Sequence, residues 1–171
     1  GEDFRYANWR REWGKKEPVI AFFKVFMLQG AVMFIMSWLS ILVFSEGKSS
    51  VGIWEIAGIV VFLAGFLMES IGDAQMSAFK RKPENKGKLM TSGLWSITRH
   101  PNYAGEAILW WGLFLIAVPV QFGWTGVIAP LLITMLLRYG SGVPMLEKKY
   151  SKHPDWEAYA LKTPVFMPWI K

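Results

Sequence analysis

T-R-H-P-N-Y-A-G-E, residues 98–106, runs directly into A-I-L-W-W at 107–111. Arg99, His100, Asn102, Tyr103 and Glu106 crowd five groups that bind, donate or accept protons against an apolar run of membrane grade. Such groups are costly in a bilayer unless they face protein, water or a ligand. Pro101 suits the first turn of a helix, where its missing N–H breaks no bond. The stretch therefore reads as a basic loop entering a helix N-terminus, whose free N–H groups and dipole attract anions. Asn102 and Glu106, four apart, share one face of that helix.

Working outward, apolar runs recur along the chain. Val19–Phe44, Val51 to about Met68, Pro101–Val118 and Trp124–Leu137 read as four spans. The third, counted from Pro101, reaches about 27 Å, just enough to span. Pro130 predicts a kink in the fourth. The turns fall at Ser45–Ser50 and Pro119–Gly123. The expected fold is all-α, a polytopic membrane bundle of about four transmembrane helices with a cytoplasmic cofactor site. Residues 1–171 read as one membrane domain: an interfacial segment (1–18), four spans (19–137) and a cytoplasmic tail (138–171). Phe4, Tyr6, Trp9 and Trp13 interleave with Arg5, Arg10, Arg11, Lys15 and Lys16 in the first segment, a pattern for the membrane surface. The chain opens Gly-Glu-Asp without Met, so it reads as part of a longer protein, its C-terminal part.

The net charge is +6, which raises nucleic acid as a partner, but its placement points elsewhere. Segments 1–18, 69–100 and 138–171 hold 17 of the 19 Lys and Arg residues, and the two intervening turns hold only Lys48. With four spans, the three basic segments lie on one side, which the positive-inside rule makes cytoplasmic. The basic balance thus needs no nucleic acid, and no nucleic-acid fold pattern is visible. The absence of Cys excludes disulfides, thiolate nucleophiles and cysteine metal sites, and only His100 and His153 are available as imidazoles, so no metal centre is expected.

A second polar group lies upstream. Glu69, Asp73 and Lys80 sit at i, i+4 and i+11, on one face of the helix that continues the second span. The alternative is a solvated helix end. K-R-K-P-E-N-K-G-K-L-M-T-S, 80–92, is a loop broken by Pro83, Gly87 and Gly93; its five cations suit phosphates or anionic lipid heads equally. Glu69, Asp73, Lys80, Arg99, His100, Asn102, Tyr103, Glu106 and Arg138 all fall on the same half, as one expected site for an anionic, water-soluble co-substrate. Each has a plain alternative: Glu106 as a carboxylate bonded to Arg99 or His100, Tyr103 as an interfacial anchor, His100 as a helix-end cap.

G-L-W-S-I-T-R-H-P-N-Y-A-G-E, 93–106, resembles the C-terminal signature of the steroid 5-alpha-reductase-like membrane enzymes, and C14 sterol reductases carry a similar segment. Lys148-Lys149-Tyr150, Trp156, Tyr159, Pro164 and Pro168 resemble the closing pattern of that superfamily, whose bacterial branch is the nearest in kind. Residues 55–170 carry the likeness. It implies a bacterial inner-membrane enzyme, its site facing the cytoplasm, that transfers hydride from NADPH to an activated C=C bond in a lipid-like steroid or isoprenoid substrate. Glu106, Tyr103 and Asn102 would be catalytic. Glu69, Asp73, Lys80, Arg99, His100, Asn102, Tyr103 and Arg138 would hold the cofactor. Isoprenylcysteine and phospholipid methyltransferases share R-H-P-x-Y-x-G, so S-adenosylmethionine is the alternative cofactor and methyl transfer the alternative reaction. Those enzymes tend to show paired Glu after the last span, where this chain has Glu147-Lys148; Asn102, Gly105 and Glu106 fit the reductases. Gly140-Ser141-Gly142-Val143 departs from the reductases' charged residues, and their N-terminal helices have no counterpart here. A non-catalytic membrane subunit of the same fold therefore stays open as the third reading. The lipid and the oligomeric state are not legible.

Overall fold

A computed structural model describes residues 4–45, 51–140 and 142–167. Of the expected turn Ser45–Ser50, residues 46–50 lie outside the described residues, as do Ser141, Pro168 and Trp169. The described residues are helices, 3-10 turns and loops, with no strand among them. By contact density the chain divides into two compact units, Gly1–Trp38 and Leu39–Lys171.

The first unit is helical from Phe4. Helix α1 (Phe4–Trp13) passes through a 3-10 turn, Gly14–Lys16, into α2 (Glu17–Ala21) and a π-helical turn, Phe22–Met27. Trp9 and Trp13, one turn apart, stack with ring centroids 5.4 Å apart. Helix α3 (Leu28–Ser45) begins in this unit and ends in the second.

The second unit holds α4 (Ile53–Arg81), α5 (Pro101–Ala117), α6 (Ile128–Tyr139), α7 (Val143–Tyr150) and α8 (Trp156–Lys162). Glu55 accepts from the Gly52 N–H at 3.0 Å and closes the start of α4. The outward face of α4 is Ile56, Ile59, Val60, Leu63, Phe66, Leu67 and Ile71, all exposed. A helix facing water would carry charge there; this one faces lipid. Its 29 residues extend for about 44 Å. That exceeds the hydrocarbon core, so its charged end at Lys80 and Arg81 lies beyond it.

Among the described residues, three helical stretches are long and apolar enough to cross a membrane: Trp9–Phe44, Ile53–Arg81 and Gly123–Tyr150. The protein is an integral membrane protein. The other expected span, α5, has 17 residues and falls just short on length. It packs antiparallel along α4 instead of standing alone. Gly58 of α4 abuts Gly112, Gly65 abuts Gly105 and Leu109, and Gly72 abuts Pro101 and Asn102. Without side chains at these crossings, the two backbones touch. The expected kink at Pro130 is replaced by a fresh start. Residues Gly123–Val127 form a 3-10 turn, α6 begins at Ile128, and Pro130 sits in its first turn. There its missing N–H leaves no bond unmade. A buried group of Ala107, Val143 and Phe166 joins α5, α7 and the tail, with Tyr103 and Leu137 packed against it.

Candidate functional site

The segment 93–100 is built by bonds to distant parts of the unit. Gly93 has φ +63°, and a Cβ there would strike the Gln75 side chain, whose Oε1 accepts the Leu94 N–H at 2.9 Å. Trp95 is buried, and its indole N–H donates to the Gly72 carbonyl at 3.1 Å. Thr98 Oγ1 donates to the Phe166 carbonyl at 2.7 Å, and the Arg99 N–H to that of Pro164 at 2.9 Å. These two bonds tie the segment to the tail and hold Arg99 and His100 in a fixed place. Pro101 opens α5 as its residue type predicts; His100 precedes it but makes no side-chain cap bond.

Glu147, on α7, is the centre of that place. Arg99 Nε and Nη2 donate to its two oxygens at 3.0 and 2.9 Å, a bidentate pair. His100 Nε2 lies 2.8 Å from Glu147 Oε1. Arg99 Nη1 donates to the carbonyls of Ala160 and Thr163, both at 2.8 Å, and the guanidinium lies over Trp156, 5.5 Å from the ring centroid. Four of its five N–H groups are thereby used. Arg99 is mainly a clamp that binds loop, α7 and tail together. Glu147, not Glu106, is the carboxylate on Arg99 and His100.

Beside the clamp lies a cavity of about 490 Å³. One wall is cationic: Lys80 and Arg81 at the end of α4, with Lys82, Lys86 and Lys88 of the loop. The other is aromatic: Trp95, Tyr150, Trp156 and Tyr159. Arg99, His100 and apolar side chains such as Met76, Phe79, Leu89 and Met90 also line it, and no Asp or Glu takes part among the described residues. The Nδ1 of His100 is buried and has no protein partner among the described residues. His100 also stacks on Tyr103, centroids 5.9 Å apart.

Tyr159 fixes the aromatic wall through a hydroxyl bond to the Trp95 carbonyl. Burial pushes its phenol up to about 12; Arg99 nearby opposes this and Glu147 adds to it. The phenol therefore stays protonated longer in the folded protein than in the unfolded chain. Its contribution to stability is complete below about pH 10 and is lost as pH rises through about 12. Tyr159→Phe is expected to flatten the alkaline limb of the unfolding midpoint between those values, measured by thermal unfolding in detergent.

The remaining residues lie elsewhere. Asn102 Nδ2 donates to Asp73 Oδ1 at 3.0 Å across the α4–α5 contact. In the same antiparallel register Glu106 faces Glu69, so three acids and one amide share that crossing. Of the expected residues, Lys80, Arg99 and His100 come together at the cavity. Glu69, Asp73, Asn102 and Glu106 form the second group, and Tyr103 lies between His100 and the buried group around Ala107. Arg138 does not line the cavity; its guanidinium lies over Tyr139 at 4.9 Å. No group of three metal-ligating side chains is present among the described residues. Sequence reasoning did not assign Glu147, Trp95, Tyr150, Trp156 or Tyr159 to the site. Three of them, Tyr150, Trp156 and Tyr159, already stood out in the closing pattern of the tail.

A family model described as a protein of unknown function, DUF1295, matches residues 1–163. Among curated proteins, a stretch of 66 residues is 38% identical to the probable O-methyltransferase ustE of Ustilaginoidea virens; it spans 39% of this chain and 23% of that protein. No solved structure matches the chain.

Proposed function

Because the chain belongs to the DUF1295 family, which is steroid 5-alpha-reductase-like, we propose that it is a membrane reductase that binds NADPH in the basic and aromatic cavity and reduces an activated C=C bond of a lipid. The observation that carries this reading is the lining: five Lys and Arg side chains on one wall, aromatic rings on the other, and no carboxylate among the described residues. A dinucleotide with several phosphates suits such a wall, because each phosphate meets a cation. The aromatic wall suits a flat base. Bound there, NADPH supplies hydride for the β-carbon of an enone-like group. The residues of the chain would supply the proton: the electron pair pushed onto the conjugated oxygen returns as the α-carbon is protonated, and Tyr103, stacked on His100 beside the cavity, is the nearer candidate acid, whereas Glu106 lies at the α4–α5 crossing. Asn102 spends one amide N–H on Asp73 at that crossing, and its second N–H is the donor proposed for a substrate carbonyl. Charge placement along the sequence supports a cytoplasmic side for the cavity.

A second reading is methyl transfer from S-adenosylmethionine, favoured by the similarity to ustE. The charge of the lining speaks against it. That cofactor carries a net positive charge, and the cationic wall repels it.

Titration of the detergent-solubilised protein with each cofactor by calorimetry separates the readings. NADPH is expected to bind, more weakly as salt rises. Lys86→Glu with Lys88→Glu is expected to weaken it about tenfold, at roughly 0.5–1 kcal/mol for each reversed exposed charge. Binding of S-adenosylmethionine with no response to NADPH would overturn the reductase reading. Binding of neither would leave the non-catalytic subunit.

A further inference from the structure

We propose that His153 is a positioning residue: it latches the basic loop over the cavity and so sets how long an anionic cofactor stays there. Every residue from 82 to 90 except Glu84 lines the cavity. The bonds within this loop are local. Asn85 N–H donates to the Lys82 carbonyl, Lys86 N–H to Pro83 and Lys88 N–H to Asn85. The Asn85 side chain donates to the Phe79 carbonyl at 2.9 Å, which ties the base of the loop to the end of α4. Its tip is Gly87, with φ +82°, a left-handed turn that favours glycine. Among the described residues, the hydrogen bond that reaches this loop from a distant part of the chain is His153 Nε2 to the Gly87 carbonyl, 2.8 Å.

The imidazole is set for this task. Asp155 N–H donates to His153 Nδ1 at 3.1 Å, so the neutral ring carries its proton on Nε2 and donates it to Gly87. The histidine is itself fixed: its N–H donates to the Tyr150 carbonyl, and its carbonyl accepts from the Trp156 N–H. Tyr150 and Trp156 belong to the aromatic wall. One side chain therefore joins the two walls, with the cations on one side of the bond and the rings on the other. Breaking it leaves the tip of the loop held by local bonds alone. Local opening of such a segment follows the number of bonds that close it.

The latch is tested without any ligand, by limited trypsin digestion in detergent. Lys86 and Lys88 are exposed, and Lys82 is protected by the following proline. His153→Asn keeps an acceptor for the Asp155 N–H but does not reach Gly87. His153→Gln reaches Gly87 with its amide donor. Cleavage after Lys86 and Lys88 is expected to be about fivefold faster in His153→Asn and His153→Ala, the factor for one hydrogen bond of about 1 kcal/mol. It is expected to return toward the native rate in His153→Gln, with the unfolding midpoint of the Asn and Gln variants unchanged. Native cleavage rates in Asn and Ala would overturn the latch, as would a Gln variant cut as fast as Ala. If the alanine variant does not fold, the Asn and Gln pair decides. The effect on residence rests on the cofactor reading above: NADPH dissociation is expected to quicken by a similar factor in the Asn variant and to recover in Gln. If the native protein does not bind NADPH, that reading fails, while the cleavage rates still judge the latch.

Discussion

Glu147→Ala is expected to lower the unfolding free energy by about 3–5 kcal/mol, the range for removing one partner of a buried ion pair. Arg99 is 8% exposed and His100 is 2% exposed, while Glu147 is 24% exposed, so water only partly replaces the carboxylate and the loss lies at the lower end of that range. For a chain of this size the loss corresponds to about 6–12 °C in the unfolding midpoint at roughly 3 kcal/mol. Thermal unfolding in detergent, followed by tryptophan fluorescence, measures it. A fall of less than 1 kcal/mol would mean that the clamp behaves as a surface pair. Glu147→Gln is expected to fall between the two, since it keeps one acceptor and loses the charge.

The same geometry makes the losses non-additive. Arg99→Met alone leaves Glu147 with His100 and leaves the carbonyls of Ala160 and Thr163 without their donor. Arg99→Met combined with Glu147→Ala is expected to cost less than the sum of the single changes, by roughly 0.5–3 kcal/mol, because the residues share one network. This bears on function. A weaker cofactor affinity in an Arg99 variant reports a displaced His100 and loop as much as a lost phosphate contact. The cleaner probes of the cavity are Lys86 and Lys88, which line it and are exposed.

How far the sequence could be read follows from where each signal lies. The long helices are legible because an unbroken apolar run and its flanking charges are local. Pro101 at the head of α5 is legible because proline fixes its own backbone, and Gly87 and Gly93 are legible as helix breakers, whose left-handed turns only the structure shows. The face shared by Asn102 and Glu106 followed from helical spacing, and both side chains do turn toward α4. What spacing cannot name is a partner far along the chain. Glu147 lies 48 residues from Arg99, in a stretch whose neighbouring Lys148 and Lys149 make it look like a solvated acid. One nine-residue stretch therefore divides in the structure. Arg99 and His100 turn to the cavity and the clamp, while Asn102 and Glu106 turn to the helix crossing.

That crossing carries the other large expected effect, at Gly65. Gly58, Gly65 and Gly72 on α4 recur every seven residues, as do Gly105 and Gly112 on α5, a small-residue seam that hydropathy alone passes over. A Cβ on Gly65 would meet the Leu109 nitrogen, the Gly105 carbonyl oxygen at 2.6 Å and the Leu109 Cα at 2.8 Å, all backbone atoms of α5. Backbone cannot rotate away as a side chain does, so the helices must separate. Separation along a membrane crossing forfeits the van der Waals contact that holds it, because lipid offers no hydrophobic force to restore it. Gly65→Val is expected to cost about 3 kcal/mol or more, at the upper end of overpacking substitutions. It should also weaken the Asn102–Asp73 bond, which spans the same interface two turns away. Gly30→Ala on α3 is the control. A Cβ there meets nothing within 4 Å, so helix propensity alone predicts a gain of roughly 0.5–1 kcal/mol. Chemical unfolding in mixed micelles compares the two. If Gly65→Val and Gly30→Ala shift stability alike, the crossing is not held by backbone contact, and the register that pairs Asn102 with Asp73 and Glu106 with Glu69 loses its physical basis.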